Sequence, residues 1–335
     1  MHLTKHHVFG NDFLVALETG DDPCPPGWVR ALCNRTGGVG ADGIMWAQDL
    51  SRSTVDPLWR HSGEGRDPVS GDPICASGGI ARHAPGGDGA GHPGPVPPLH
   101  AAMRLYNADG GEAEVSGNGL ACLAQALTLR AGRDEAEVEI ATVAGERTVG
   151  IGNSRFADAD DTGAGFGRIR SRATIGLGQP GEDAEKTRGA DAVLAELAPE
   201  CLRAGWVSVG NPHLVALFED TTALEVLALE PAGAALQTRF EPVNFEAVAV
   251  LDRTHVRMRV FERGVGVTSA CGSGAAAVAW RLHRWGLVDE TIEVEMPGGV
   301  AEVNVGSGVE LRVPVIYVAD VEAPEPVAPT SGDTS

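Results

Sequence analysis

Two short tetrads are the places where the sequence joins chemistry to geometry. Ser116-Gly117-Asn118-Gly119 and Cys271-Gly272-Ser273-Gly274 stand 155 residues apart, and each opens an Ala/Leu/Val-rich stretch (120–130 and 275–285) that reads as a buried helix. A helix N-terminus presents unpaired N–H groups and positive potential, which bind a carboxylate and favour a thiolate at the cap. The glycines let a ligand approach the backbone closely. Two such turns converging on one carboxylate leave one acid/base group on each face of the adjacent α-carbon. That arrangement suits removing a proton from one face and returning one to the other.

The elements that would hold these turns are themselves duplicated. Gly10-Asn11-Asp12-Phe13-Leu14-Val15-Ala16-Leu17 recurs 200 residues on as Gly210-Asn211-Pro212-His213-Leu214-Val215-Ala216-Leu217, identical at 6 of 8 positions. Met103-Arg104-Leu105-Tyr106 recurs as Met258-Arg259-Val260-Phe261, and that match runs without a gap into the two tetrads. The offset falls from 200 to 155 because the first half carries 45 extra residues, about the size of a Gly/Pro/Asp/Ser-rich stretch at 49–98 that reads as an irregular insertion. Residues 153–189 read similarly, and the Pro/Glu/Ser/Thr tail 321–335 reads as disordered. Strands are expected at 13–17, 102–106, 137–142, 207–209, 214–218, 247–251, 255–261, 291–295 and 310–318. Weaker helical signals lie at 28–33, 190–197 and 224–228.

Composition excludes several function classes. The formal charge of −20 over 335 residues, without a Lys/Arg run, disfavours nucleic acid and anionic membrane as partners. Six scattered cysteines form no Cys-x-x-Cys pair, so free thiols and a cytoplasmic location are expected. The histidines of the insertion, His61, His83 and His92, match no metal-ligand spacing, and no metal is expected. Only two lysines occur, Lys5 and Lys186, and neither has a phosphate-binding context, which disfavours a pyridoxal-phosphate Schiff base. No cofactor is expected. A small-molecule substrate is the expected partner, and a homodimer is compatible with the sequence.

The ordered set Gly10-Asn11-Asp12-Phe13, Gly40-Ala41-Asp42-Gly43, Asn107-Ala108-Asp109-Gly110, Ser116-Gly117-Asn118-Gly119, Gly210-Asn211-Pro212-His213, Glu262-Arg263-Gly264, Ala270-Cys271-Gly272-Ser273-Gly274 and Pro297-Gly298-Gly299 resembles the motifs of the diaminopimelate epimerase family. The resemblance implies an α/β (α+β) fold of two pseudo-symmetric domains, each a mixed, largely antiparallel sheet wrapped around a central helix, with the active site in the cleft between them. The expected division is 1–152 with 308–320 for the first half and 153–307 for the second. It further implies cofactor-independent epimerisation of L,L-diaminopimelate to the meso form, a step of lysine biosynthesis. By motif, Cys271 and the residue at 116 would be the acid/base pair, with Glu262 and His213 assisting. The backbone of Gly117, Asn118, Gly272 and Ser273 would hold the reacting carboxylate, and Asn11, Asn107, Asn211, Asn244, Glu262 and Arg263 the amino groups and the distal carboxylate.

Position 116 departs from that pattern, since the family has cysteine where this chain has serine. A hydroxyl is several pKa units less acidic than a thiol, each unit costing about 1.4 kcal/mol, whereas a helix N-terminus returns only about 0.3–2 kcal/mol. Three readings follow: an engineered Cys→Ser change that leaves a binding-only variant, a native weak acid/base in a working epimerase of this or another polar amino acid, or one-base lyase or dehydratase chemistry through Cys271. Val267 also departs, standing where the family often has glutamate. Cys122, well down the first helix, reads as a core thiol.

Overall fold

The computed structural model describes residues 1–19, 23–52, 96–113, 116–143, 145–156 and 169–326. The histidines of the insertion and most of the insertion itself lie outside them. The first half runs β1 (His2–Val8), β2 (Asn11–Ala16), α1 (Pro26–Cys33), β3 (Gly43–Asp49), β4 (Leu99–Asn107), β5 (Glu112–Ala113), α2 (Gly117–Arg130), β6 (Ala136–Thr142), β7 (Gly145–Phe156) and β8 (Ile169–Gly178). The second runs β9 (Gly181–Glu182), α3 (Ala184–Leu197), β10 (Arg203–Ser208), β11 (Pro212–Phe218), α4 (Thr221–Val226), α5 (Leu229–Arg239), β12 (Asn244–Val250), β13 (His255–Glu262), β14 (Gly266–Thr268), α6 (Gly272–Arg284), β15 (Thr291–Met296), β16 (Gly299–Asn304) and β17 (Val309–Glu322).

The pairing of strands repeats between the halves. In the first, β1/β2 is antiparallel, β2/β3 parallel, β3/β4 antiparallel, β4/β6 parallel, and β6/β7 and β7/β8 antiparallel. In the second, β10/β11, β11/β12, β12/β13, β13/β15, β15/β16 and β16/β17 follow the same alternation. In each half a short hairpin, β4/β5 or β13/β14, leads into the helix. Strand β17 pairs with both β1 and β8, which closes the first sheet into a barrel. Strand β17 also pairs with β16 and so joins the two sheets, and past Gln179 and Pro180 the short β9 pairs with β10.

Each sheet wraps a helix with few polar residues. Helix α2 is buried from Asn118 to Thr128 and packs on β1, β2, β3, β4, β6, β7, β8 and β17. A helix that is apolar on every face has no stripe to present to water and needs such enclosure. Helix α6 packs on β10, β11, β12, β15, β16 and β17 and meets α2.

Three expectations need correction. Residues 153–189 are not irregular throughout, since they contain β8, β9 and the start of α3; β8 buries Ile169, Ser171, Ala173 and Ile175, and the small residues in those slots weaken the alternation. The tail is ordered at its start. Val321 and Glu322 pair with Leu3 and His2, the Ala323 amide donates to Met1 O, and Trp28 Nε1 donates to Pro324 O at 2.9 Å. Strands β1, β3, β7 and β16 and helix α5 were not anticipated, because His and Lys interrupt β1, and Pro and Gly interrupt α5.

Candidate active site

The two tetrads form matching helix caps. Ser116, at φ −124° and ψ 125°, accepts through Oγ from the Gly119 amide at 3.2 Å. Cys271, at φ −133° and ψ 112°, accepts through Sγ from the Gly274 amide at 3.4 Å. The amides at the first two helical positions, Gly117 with Asn118 and Gly272 with Ser273, have no intrahelical acceptor available to them. The turns face each other over Leu311 of β17: a Cβ built on Gly117 would stand 4.0 Å from Leu311 Cδ2, and one on Gly272 would stand 2.9 Å from the same atom and 3.3 Å from Asn118 Oδ1. Tertiary structure therefore brings together two donor-lined turns that the sequence holds 155 residues apart.

The surroundings of the two caps differ. Cys271 is buried, lies in hydrogen-bonding reach of Glu262, and meets Ser273 Oγ at 3.5 Å. Burial first, then the carboxylates of Glu262 and Glu246, push its thiol well above the usual range, while Ser273 and the Gly274 amide pull the other way. Burial also raises the Glu262 carboxyl, with Glu246 adding to the rise; Thr268 Oγ1 donates to it. Ser116 is half-buried, and no imidazole or carboxylate among the described residues bonds it.

The remaining expected residues occupy the same end of the sheets. Asn11 begins β2 just after Phe9, whose ring and carbonyl lie against Gly298 and Gly299 of the other half. Its Oδ1, like that of Asn118, is buried without a partner among the described residues, so both can serve a ligand. Asn107 is exposed at the end of β4, beside Gly43. Asn244 accepts the Arg263 amide at 2.9 Å and donates to Pro212 O at 3.2 Å, and Arg263 itself is exposed. His213 is buried between Glu246 Oε1 at 2.6 Å and Asn211 Oδ1 at 3.0 Å, and Asn211 Nδ2 donates to Ser273 Oγ at 3.4 Å. Glu246 went unnoticed in the sequence, because one carboxylate inside an apolar strand carries no spacing signal; only the β11/β12 register sets it beside His213.

Both lysines are held by carboxylates, Lys5 by Asp12 at 2.8 Å and Lys186 by Glu241 at 2.6 Å. Among the described residues, no group of three or more His, Cys, Asp or Glu is placed to hold a metal, and no helix is long and apolar enough to cross a membrane.

The model of one family, diaminopimelate epimerase, matches residues 80–157 and 205–313, which include both caps, the Gly210-Asn211-Pro212-His213 turn and Glu262. The chain belongs to the diaminopimelate epimerase family. Relatives bearing that name include proteins of Synechocystis sp., 29% identical with 91% of each chain covered, and of Nostoc punctiforme, 28% identical with 91% of each covered. Solved structures show the fold: a predicted epimerase of Pseudomonas aeruginosa matches at TM-score 0.60 and 16% identity over 96% of this chain and 98% of its own. A PhzF-family phenazine biosynthesis protein of Bacillus anthracis matches at TM-score 0.58 and 14% identity, over 97% and 99%. As a member of the diaminopimelate epimerase family the chain is an isomerase, and its mixed α/β barrels are those of its structural neighbours.

Proposed function

We propose that the chain epimerises diaminopimelate at one α-carbon without a cofactor, moving protons across the cleft between Cys271 and Ser116. The meeting of the two capped turns over Leu311 carries this reading. An α-carboxylate seated on the Gly117, Asn118, Gly272 and Ser273 amides would place its α-carbon between the two side chains, and the helix ends would stabilise the negative charge that builds up as the α-proton leaves. Cys271 rests as a thiol beside Glu262, whose raised affinity for protons lets it accept the thiol proton and return it. In this reading Arg263, Asn107 and Asn244 would hold the distal carboxylate and amino group. The first domain of this reading extends to Gly178, because β8 pairs with β7 and packs on α2.

The deciding measurement is incubation with L,L- or meso-diaminopimelate in deuterated water, following α-deuterium incorporation and stereochemistry. Deuterium with inversion is expected. No exchange, even after Ser116→Cys, would end the epimerase reading.

A second reading draws on the asymmetry of the caps. The acid/base partners gather on Cys271, whereas among the described residues Ser116 meets the Gly119 amide alone. One-base removal of an α-proton, with loss of water from a β-hydroxy amino acid, would leave an enamine that hydrolyses to an α-keto acid and ammonia. Detection of those products would select it.

A further inference from the structure

The two halves differ at one buried slot beneath the caps. In the second half a Cβ built on Gly274 would meet Glu246 Oε1 at 2.7 Å; in the first, a Cβ on Gly119 would meet Met45 Sδ at 2.8 Å. The parallel registers extend this equivalence, since His213 pairs with Asn244 as Phe13 pairs with Gly43. The fold therefore accepts an apolar Phe13 and Met45 where the second half buries His213 and Glu246 completely. A buried charged pair is seldom more stable than apolar side chains of similar size. Its retention calls for a role other than packing.

We propose that Glu246 is a positioning residue for Cys271: through a doubly protonated His213 it sets the direction of a hydrogen-bond chain that ends with Ser273 Oγ–H donating to the sulfur. The catalytic meaning of this chain rests on the α-carbon chemistry proposed above. Its direction follows from the contacts. With the Asn211 amide turned as it is here, Glu246 Oε1 faces Nδ1 at 2.6 Å and Asn211 Oδ1 faces Nε2 at 3.0 Å, so each ring nitrogen meets an acceptor and calls for a proton. Asn211, accepting through Oδ1, donates through Nδ2 to Ser273 Oγ at 3.4 Å. The Ser273 hydrogen is then directed to Cys271 Sγ at 3.5 Å. A thiolate formed during turnover meets two donors, this hydroxyl and the Gly274 amide. The titratable neighbours of the ring are Glu246 on β12 and Glu262 on β13. A neutral ring would reverse the chain, turning the Asn211 amide and leaving Ser273 donating away from sulfur.

Two measurements test this without requiring turnover. Nitrogen-15 NMR of the wild-type ring at neutral pH should show both His213 nitrogens protonated, and E246Q should leave one. The rate of Cys271 alkylation by iodoacetamide, followed against pH, should fall about tenfold in the H213F/E246M variant, the loss of about one hydrogen bond to a charged group. That variant copies the first half's apolar pair, so it should melt no lower than wild type, and E246D should restore part of the alkylation rate. A singly protonated wild-type ring, or an unchanged alkylation profile in a folded H213F/E246M protein, would overturn the proposal. A wild-type protein that fails to exchange the α-proton of diaminopimelate counts against the functional reading alone.

Discussion

Oxygen at position 116 and sulfur at position 271 sit in matching caps with unequal surroundings, and in the proposed reaction the proton balance turns on that inequality. A hydroxyl yields its proton far less readily than a thiol, and Ser116 has no acid/base partner among the described residues to compensate. Ser116→Cys is therefore expected to speed α-proton exchange by about tenfold or more, each pKa unit recovered being worth about that factor. Deuterium incorporation rates of the two proteins check it. Cys271→Ala should abolish exchange, and meso-diaminopimelate should slow alkylation of Cys271 in the unaltered protein. The residue types and spacing at 116 and 271 were legible in the sequence because a cap residue, its glycines and its helix are contiguous. Glu246 was not, because its meaning comes from a neighbouring strand and from the turn above it.

At the scale of elements, α2 is tied to three strands through one side chain. Gln125 Oε1 meets His6 Nδ1 at 2.7 Å, and its Nε2 donates to Ser171 Oγ at 2.9 Å, Val315 O at 3.1 Å and Ile169 O at 3.3 Å. Gln125→Leu keeps the volume but strands those groups in the core, so a loss of about 1–3 kcal/mol is expected, read from urea denaturation. Cys271 alkylation should be unchanged, since α6 makes none of these bonds. The helices α2 and α6 were legible from their Ala/Leu runs, and their true starts lie at Gly117 and Gly272, because glycines at the first turn hide the boundary. Strand β8 was not legible: its inward Ser171 and Ala173 look polar or neutral until Gln125 and the barrel interior are set against them.

At the scale of the whole molecule, a pH dependence of stability is expected from His6 in β1. His6 is fully buried, and burial, only partly offset by Gln125, lowers its pKa from 6.5 to about 4. Between those values the unfolded chain binds a proton that the folded protein does not, so stability falls as pH drops through that window and is fully present above it. The total is about 3 kcal/mol, at about 1.4 kcal/mol per unit. Urea midpoints measured across the window should show this slope in the wild type and a flatter one in His6→Gln; equal slopes would remove His6 as the cause. The sequence by itself determined the duplication, the two buried helices and the paired caps, because each is written in contiguous residues whose periodicity and turn chemistry act locally. Tertiary structure alone decided that β17 is shared between the barrels, that the caps meet over Leu311, and that Cys271 rather than Ser116 is surrounded by Glu262, Glu246 and Ser273. Those features depend on strand register and closure across long separations, and contacts of that kind leave no pattern in the order of the residues.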